Sequence, residues 1–163
     1  MRALDALVAV LVLFGVALLS ELLMQREMLE GVAVAVDGDT LDLRGTRLRL
    51  SGIDAPELRQ ECVRERRPWP CGEAARRTLA EALRRGPVSC AAGRADKYGR
   101  PLARCTVGGV DLADVMVREG MAVAYLGRDY AGAQAEAQAA RRGIWAGPFE
   151  MPVDWRAANP RRP

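Results

Sequence analysis

The chain has 163 residues, half of them hydrophobic, and a formal net charge of +3 at pH 7, a length that suits one main domain with one core. It contains no histidine, which excludes histidine general bases, Cys/His zinc sites and two-histidine metal centres. The slight positive excess favours polyanions without proving them, and because every basic residue except Lys97 is arginine, the bias reads as codon usage rather than as a nucleic-acid signal.

Residues 1–30 read as a separate membrane anchor or signal segment. After Met1-Arg2-Ala3-Leu4-Asp5 the chain is apolar from Ala6 to Leu19. The uncharged stretch Ala6–Ser20 is 15 residues, short of the ~20 that a spanning helix needs; extending it to Met24 takes in Glu21. Glu21, Leu22, Leu23 and Met24 make a poor cleavage site, so an uncleaved anchor over Ala6–Met24 is expected, with the rest of the chain in the periplasm or exterior. Secretion after signal cleavage is the alternative. A buried N-terminal helix fits less well, because the run is apolar on all faces.

The domain expected over residues 31–148 opens with Val32-Ala33-Val34-Ala35-Val36, whose alternation suits a strand. Asp37-Gly38-Asp39 signals a turn. Leu41-Asp42-Leu43 alternates again, Arg44-Gly45 turns, and Thr46–Leu50 makes a third strand with Leu48 and Leu50 on one face and Arg47 and Arg49 on the other. Pro56 ends this regular stretch, and the arginine-rich, proline-broken residues 58–71 read as a loop. Gly72–Arg85 carries Ala75, Leu79, Ala82 and Leu83 at helical spacing before Gly86-Pro87 stops it. Val88–Ala92 and Leu102–Val107 read as paired strands around a turn holding Asp96–Arg100. Two further helices are expected over Asp111–Glu119 and Tyr130–Arg142, with a short extended piece at Ala122–Leu126 between them. Residues 149–163 are expected to be an irregular tail. The order describes an α+β domain with a small sheet or barrel.

Four cysteines stand at 62, 71, 90 and 105, with no C-x-x-C pair, so zinc-ribbon and thioredoxin-like motifs are absent. An even count after an export-like segment points to two disulfides in an oxidising compartment. Three connectivities exist. Cys90 and Cys105 lie in strands expected to pair, and Cys62 and Cys71 bracket the arginine-rich loop, so Cys90–Cys105 and Cys62–Cys71 are the expected bridges.

Asp39 and Asp54 each end an expected strand, and carboxylates on neighbouring strand ends can supply oxygen ligands to a hard divalent cation. Asp37 reads as the turn former. Arg49 and Arg100 offer planar, permanently charged groups that grip phosphate bidentately. Glu57, just past Pro56, is placed to take a proton from an attacking water. Singly, each has an ordinary reading: a turn, a surface arginine, a solvated carboxylate.

Together, Asp37-Gly38-Asp39-Thr40, Arg49, Ile53-Asp54-Ala55-Pro56-Glu57, Asp96-Lys97-Tyr98-Gly99-Arg100, Val117-Arg118-Glu119-Gly120 and Ala124-Tyr125 resemble the thermonuclease, or staphylococcal nuclease-like, family over about residues 31–147. The resemblance implies a five-stranded OB-fold β-barrel with three helices, preceded here by the N-terminal hydrophobic helix. It implies a calcium-dependent nuclease of DNA and RNA that leaves 3′-phosphates. Asp39, Asp54 and the backbone carbonyl of Ala55 would ligate Ca2+, Arg49 and Arg100 would hold the scissile phosphate, and Glu57 would stand beside the attacking water. Lys97 and Tyr98 would meet the neighbouring phosphate, and Tyr125 would line the nucleotide pocket. Two positions depart from the family pattern: Ala55 stands where founding members carry threonine, and Leu126-Gly127 follow Tyr125, so a second pocket tyrosine is missing. The implied partners are nucleic acid and, through the N-terminal helix, a membrane; no protein partner is implied and a monomer is expected. The alternative is a catalytically silent OB-fold binding or envelope-interaction module, which usually loses part of the set Asp39, Arg49, Asp54, Glu57 and Arg100.

Overall fold

Short alternating segments separated by tight turns build the sheet of this protein. A computed structural model describes residues 7–16, 27–125 and 127–160. Among the described residues eleven strands are formed: β1 Glu27–Gly31, β2 Ala33–Ala35, β3 Thr40–Leu43, β4 Thr46–Leu50, β5 Ile53–Asp54, β6 Cys62–Arg64, β7 Arg67–Trp69, β8 Val88–Ala95, β9 Pro101–Val107, β10 Val110–Asp111 and β11 Val123–Ala124. The helices are α1 (residues 7–16), α2 Cys71–Leu83, α3 Leu112–Arg118, α4 Ala131–Ala139 and α5 Pro152–Ala158, with a 3-10 turn at Gly143–Ala146.

The main sheet has seven strands in the order β1-β8-β9-β4-β3-β2, with β10 added alongside β9. Only β4 and β9 run parallel. The β3–β4 hairpin turns on Arg44 and Gly45, whose φ values of 55° and 86° suit the two-residue turn that matches strand twist. Its register pairs Leu41 with Leu48 and Thr40 with Arg49. Leu41, Leu43, Leu48 and Leu50 are buried, while Arg47 is exposed and Arg49 half-buried, as the period of two requires. Helix α2 lays Ala75, Leu79, Ala82 and Leu83 into this core. Asp111 caps α3, its carboxylate accepting the N–H groups of Ala113 (2.8 Å) and Asp114 (3.3 Å).

Several expectations are corrected. The sheet is a curled, mixed half-barrel rather than a closed barrel of five strands; the expected N-terminal helix is present, and among the described residues four helices follow it rather than three. Among the described residues its two end strands, β1 and β2, each pair on one side only. Strand β1 pairs with β8 from Glu27 to Gly31, so the domain begins before residue 31. The segment expected to be a loop over 58–71 contains the β6–β7 hairpin. The tail is not irregular throughout, because Pro152–Ala158 is helical. Its first residue is a proline, which fits the first turn of a helix, where no N–H partner is needed.

The membrane anchor is not supported. Among the described residues no helix is long and apolar enough to cross a membrane. The helical residues 7–16 span about 15 Å at 1.5 Å per residue, half of the ~30 Å hydrocarbon layer. The remainder of the expected span Ala6–Met24 lies outside the described residues.

Both expected disulfides form. Cys62 and Cys71 join the hairpin to the start of α2 with Cα atoms 5.6 Å apart, and Cys90 and Cys105 are cross-strand partners in β8 and β9 with Cα atoms 4.1 Å apart. Two such bridges fit an oxidising, extracytoplasmic compartment. Replacing Cys90 and Cys105 together by serine is expected to lower the unfolding free energy by about 2–3 kcal/mol, measured by chemical denaturation against the oxidised parent.

Candidate active site

The turn before β3 aims one acid inward and spends the other on the backbone. Asp37 accepts the N–H of Asp39 at 3.0 Å, closing the turn locally. Gly38 lies against the adjoining segment and α2: a Cβ there would come within 2.7 Å of the Cβ atoms of both Ala55 and Ala75. Only glycine permits that approach. Asp39 is consequently buried. Its Oδ2 accepts the amide N–H of Ala55 at 3.1 Å, and its Oδ1 accepts the Thr40 hydroxyl at 3.1 Å.

Arg49 ties the two strand-end acids together. Its Nη1 donates to Asp39 Oδ1 at 2.6 Å and its Nη2 to Asp54 Oδ1 at 2.8 Å. The β3–β4 register places Arg49 directly opposite Thr40, and β5 delivers Asp54 by pairing with β11. The side chain of Asp54 is 1% exposed and that of Arg49 15%. Burial raises the pKa of Asp39 above the usual carboxylate range; Arg49 opposes this, while Asp37 and Asp54 add to it. Burial also tends to lower the pKa of Arg49, but the two carboxylates outweigh it and raise the value. Asp39 therefore depends on a nearby cation to hold its charge.

Arg100 reaches the same place from the β8–β9 turn. Asp96 organises that turn: Oδ1 accepts the N–H groups of Tyr98 (2.9 Å) and Arg100 (3.0 Å), and Oδ2 accepts Nε (2.9 Å) and Nη2 (2.7 Å) of the Arg100 side chain. The remaining terminal nitrogen, Nη1, donates to the Thr40 hydroxyl at 3.3 Å. Thr40 thus links Arg100 to Asp39, the parallel β4–β9 pairing having brought the two segments side by side. Lys97 and Tyr98 are exposed on the outer side of the turn, with the Lys97 ammonium 5.0 Å and the Arg100 guanidinium 5.5 Å from the Tyr98 ring centre. Tyr125 follows β11, is 40% exposed, and donates its N–H to the carbonyl of Gly52 at 2.8 Å.

Two residues that the sequence reading passed over complete the cluster. Arg156, from α5, donates Nη1 to Asp54 Oδ1 and Nη2 to Asp54 Oδ2, both at 2.9 Å, and Nη1 to Glu57 Oε1 at 3.1 Å. Those hydrogen bonds raise the pKa of its guanidinium. Gln60 is fully buried; its Oε1 accepts the Glu57 N–H at 3.1 Å and its Nε2 donates to the carbonyl of Glu150 at 2.7 Å. Nothing local flags Arg156, one arginine among many, whereas a buried glutamine between two charged residues has no sequence signature. Of the other residues singled out, Ala55 meets Asp39 through its amide. The exposed Arg64 stacks at 4.3 Å on Trp69 in the β6–β7 hairpin rather than joining the acids.

A hard divalent cation fits the chemistry of this donor set. Asp39 and Asp54 offer carboxylate oxygens close enough for one guanidinium to bridge, and there is no imidazole or free thiol to favour a softer metal. Among the described residues no three acidic side chains converge on a point tightly enough to cage a cation alone, so backbone, water or substrate oxygens must fill the remaining positions.

The sequence profile of the staphylococcal nuclease homologue family matches residues 47–147. The chain belongs to the staphylococcal nuclease family. It is 34% identical over 128 residues to the succinoglycan biosynthesis protein ExoI of Rhizobium meliloti, covering 73% of this chain and 65% of that one. It is 34% identical over 131 residues to an uncharacterized endonuclease of Haemophilus influenzae, covering 74% and 68% respectively. To the probable staphylococcal-like nuclease CAN2 of Oryza sativa it is 30% identical over 128 residues, 76% of this chain but only 32% of that protein. The chain thus spans about two thirds or less of the length of these relatives. Within this nuclease-family domain, Asp39 lies before the matched residues and Arg156 after them.

The hydrogen bonds around Asp96 carry a pH signature. Burial tends to raise its pKa, but the bonds from Arg100 and Tyr98 outweigh that and lower it. A carboxyl held low when folded stabilises the fold above its unfolded pKa, near 3.9. That stability is lost as the pH falls through the folded value. Asp96→Asn is therefore expected to flatten the dependence of stability on pH below about pH 4, read from urea unfolding at a series of acid pH values.

Proposed function

We propose that this protein is a calcium-dependent phosphodiesterase that hydrolyses DNA or RNA. The observation that carries the reading is the Arg49 bridge between Asp39 and Asp54, with Arg100 joined to the same pair through Thr40. A site for phosphoryl transfer needs acids for a cation and fixed cations for the phosphate within one span, and here they share hydrogen bonds.

In this reading Asp39, Asp54 and the carbonyl of Ala55 hold Ca2+. When bound, the ion neutralises charge on the phosphate and polarises its phosphorus–oxygen bonds. Arg49 and Arg100 grip the scissile phosphate. A guanidinium carries five N–H donors, so Arg49 can keep both acids oriented while turning donors toward a phosphate oxygen. Glu57 takes the proton of the attacking water. The oxygen of that water bonds to phosphorus as the bond to the 5′ oxygen breaks; the departing 5′ oxygen takes a proton from solvent water, which leaves a 3′-phosphate on one fragment and a 5′-hydroxyl on the other. Lys97 and Tyr98 would meet the next phosphate along the strand, their exposure leaving them open to an extended substrate. Tyr125 would stack on a base, an interaction worth about 1–3 kcal/mol.

Two measurements test this. Glu57→Ala is expected to lose about 10²–10⁴ in turnover in a nuclease assay on the full chain at saturating Ca2+; equal turnover removes Glu57 from the chemistry. EGTA in excess is expected to abolish wild-type cleavage while circular dichroism stays unchanged, and full activity in EGTA overturns the metal reading.

A further inference from the structure

From α5, Arg156 engages the acids, and it does so with a fork. Its two terminal nitrogens take one oxygen each of Asp54, and one of them also takes Glu57. Asp54 is almost fully buried, whereas Arg156 is 32% exposed, so the guanidinium forms part of the cover over that carboxylate. The chain leading into α5 is held elsewhere and by other means. The Pro148 carbonyl accepts the Val63 N–H at 2.9 Å, the Glu150 carbonyl accepts Gln60 Nε2 at 2.7 Å, and Phe149 packs edge-on against Trp145 at 5.0 Å. These contacts fix residues 145–150 against the β6–β7 hairpin. Helix α5 itself is short, Pro152–Ala158, and has no side-chain cap at its N-terminus. Seven residues do not hold a helix together unaided.

We propose that Arg156 is a built-in rival of the divalent cation: its guanidinium occupies Asp54 and Glu57 when no metal is bound, and metal binding displaces it and lifts α5. The inference rests on the reading of Asp54 as a metal ligand. Its physical basis is that a divalent ion and a guanidinium repel each other and cannot both take Asp54 in this forked arrangement. Residues 145–150 act as a fixed strap, which Gln60 joins to Glu57, and α5 as the movable end beyond it. Arg156 is thus a positioning residue that tunes metal affinity, and its removal unloads the acids.

The test is calorimetric titration of the full chain with Ca2+ at constant ionic strength, for wild type and for Arg156→Gln. The variant is expected to bind Ca2+ on the order of tenfold tighter, one repelling unit charge having gone from the site. Equal or weaker binding by the variant overturns the proposal while leaving the metal site standing. Absence of binding by both proteins overturns the metal reading and this proposal with it. Should Arg156→Gln fail to fold, hydrogen exchange of the wild type decides: Ca2+ is expected to speed exchange across residues 152–159 while residues 60–72 stay protected, and unchanged or slower exchange across 152–159 overturns the proposal.

Discussion

One guanidinium holds the functional end of this molecule together. Asp39 and Asp54 come from separate strands, are both almost fully buried, and share Arg49 as a hydrogen-bonded counter-ion. Two carboxylates cannot be taken out of water side by side without such a partner, and breaking a buried pair of this kind typically costs about 3–5 kcal/mol. The surrounding architecture follows from that requirement. The β3–β4 register sets Arg49 opposite Thr40, the turn at Gly38 lets Asp39 sink against Ala55 and α2, and the β5–β11 pairing carries Asp54 to the second terminal nitrogen.

The site is built in layers of decreasing rigidity. Asp39 and Arg49 are fixed by the β3–β4 hairpin of the main sheet, and Asp54 by the separate β5–β11 pair. Arg100 sits on a turn, but Asp96 gives that turn four hydrogen bonds and so keeps the arginine's direction without a strand to support it. The Cys90–Cys105 bridge closes the ladder behind it. Glu57 lies on a bend whose shape depends on Gln60, and Gln60 in turn depends on the C-terminal strap for its second hydrogen bond. Glu57 is thus tied to the position of the tail through Gln60.

The two disulfides stabilise different things. Cys90–Cys105 joins neighbouring strands of the main core, while Cys62–Cys71 belongs to a smaller apolar cluster with Val123, Ile144, Trp69, Trp145 and Phe149. That second cluster connects the arginine-rich hairpin to the tail. It explains why residues 145–150 can be fixed although they follow the last long helix, and why the C-terminal segment can approach the acids at all.

The sequence alone determined the local pieces, because their causes are local. The period-two alternation of Leu41, Leu43, Leu48 and Leu50, the helical spacing from Ala75 to Leu83, the turn at Arg44-Gly45 and the separation of a structural Asp37 from an inward Asp39 all depend on near neighbours in the chain. Motif order and resemblance also suggested Asp39, Arg49, Asp54, Glu57 and Arg100 as one kit. Both cysteine pairings were legible because one pair brackets a short loop and the other faces across an expected hairpin. Tertiary structure decided what depends on distant partners. It showed the sheet open where a closed barrel was expected, placed β1 against β8, and turned the supposed loop at 58–71 into a hairpin. It gave Asp96 and Thr40 their roles in aiming Arg100. Above all, it brought Arg156 across about a hundred residues of chain to Asp54 and Glu57. An arginine on a seven-residue helix has no periodicity or spacing that names its partner; only the packing of residues 145–150 on the disulfide-closed hairpin carries it to the carboxylates.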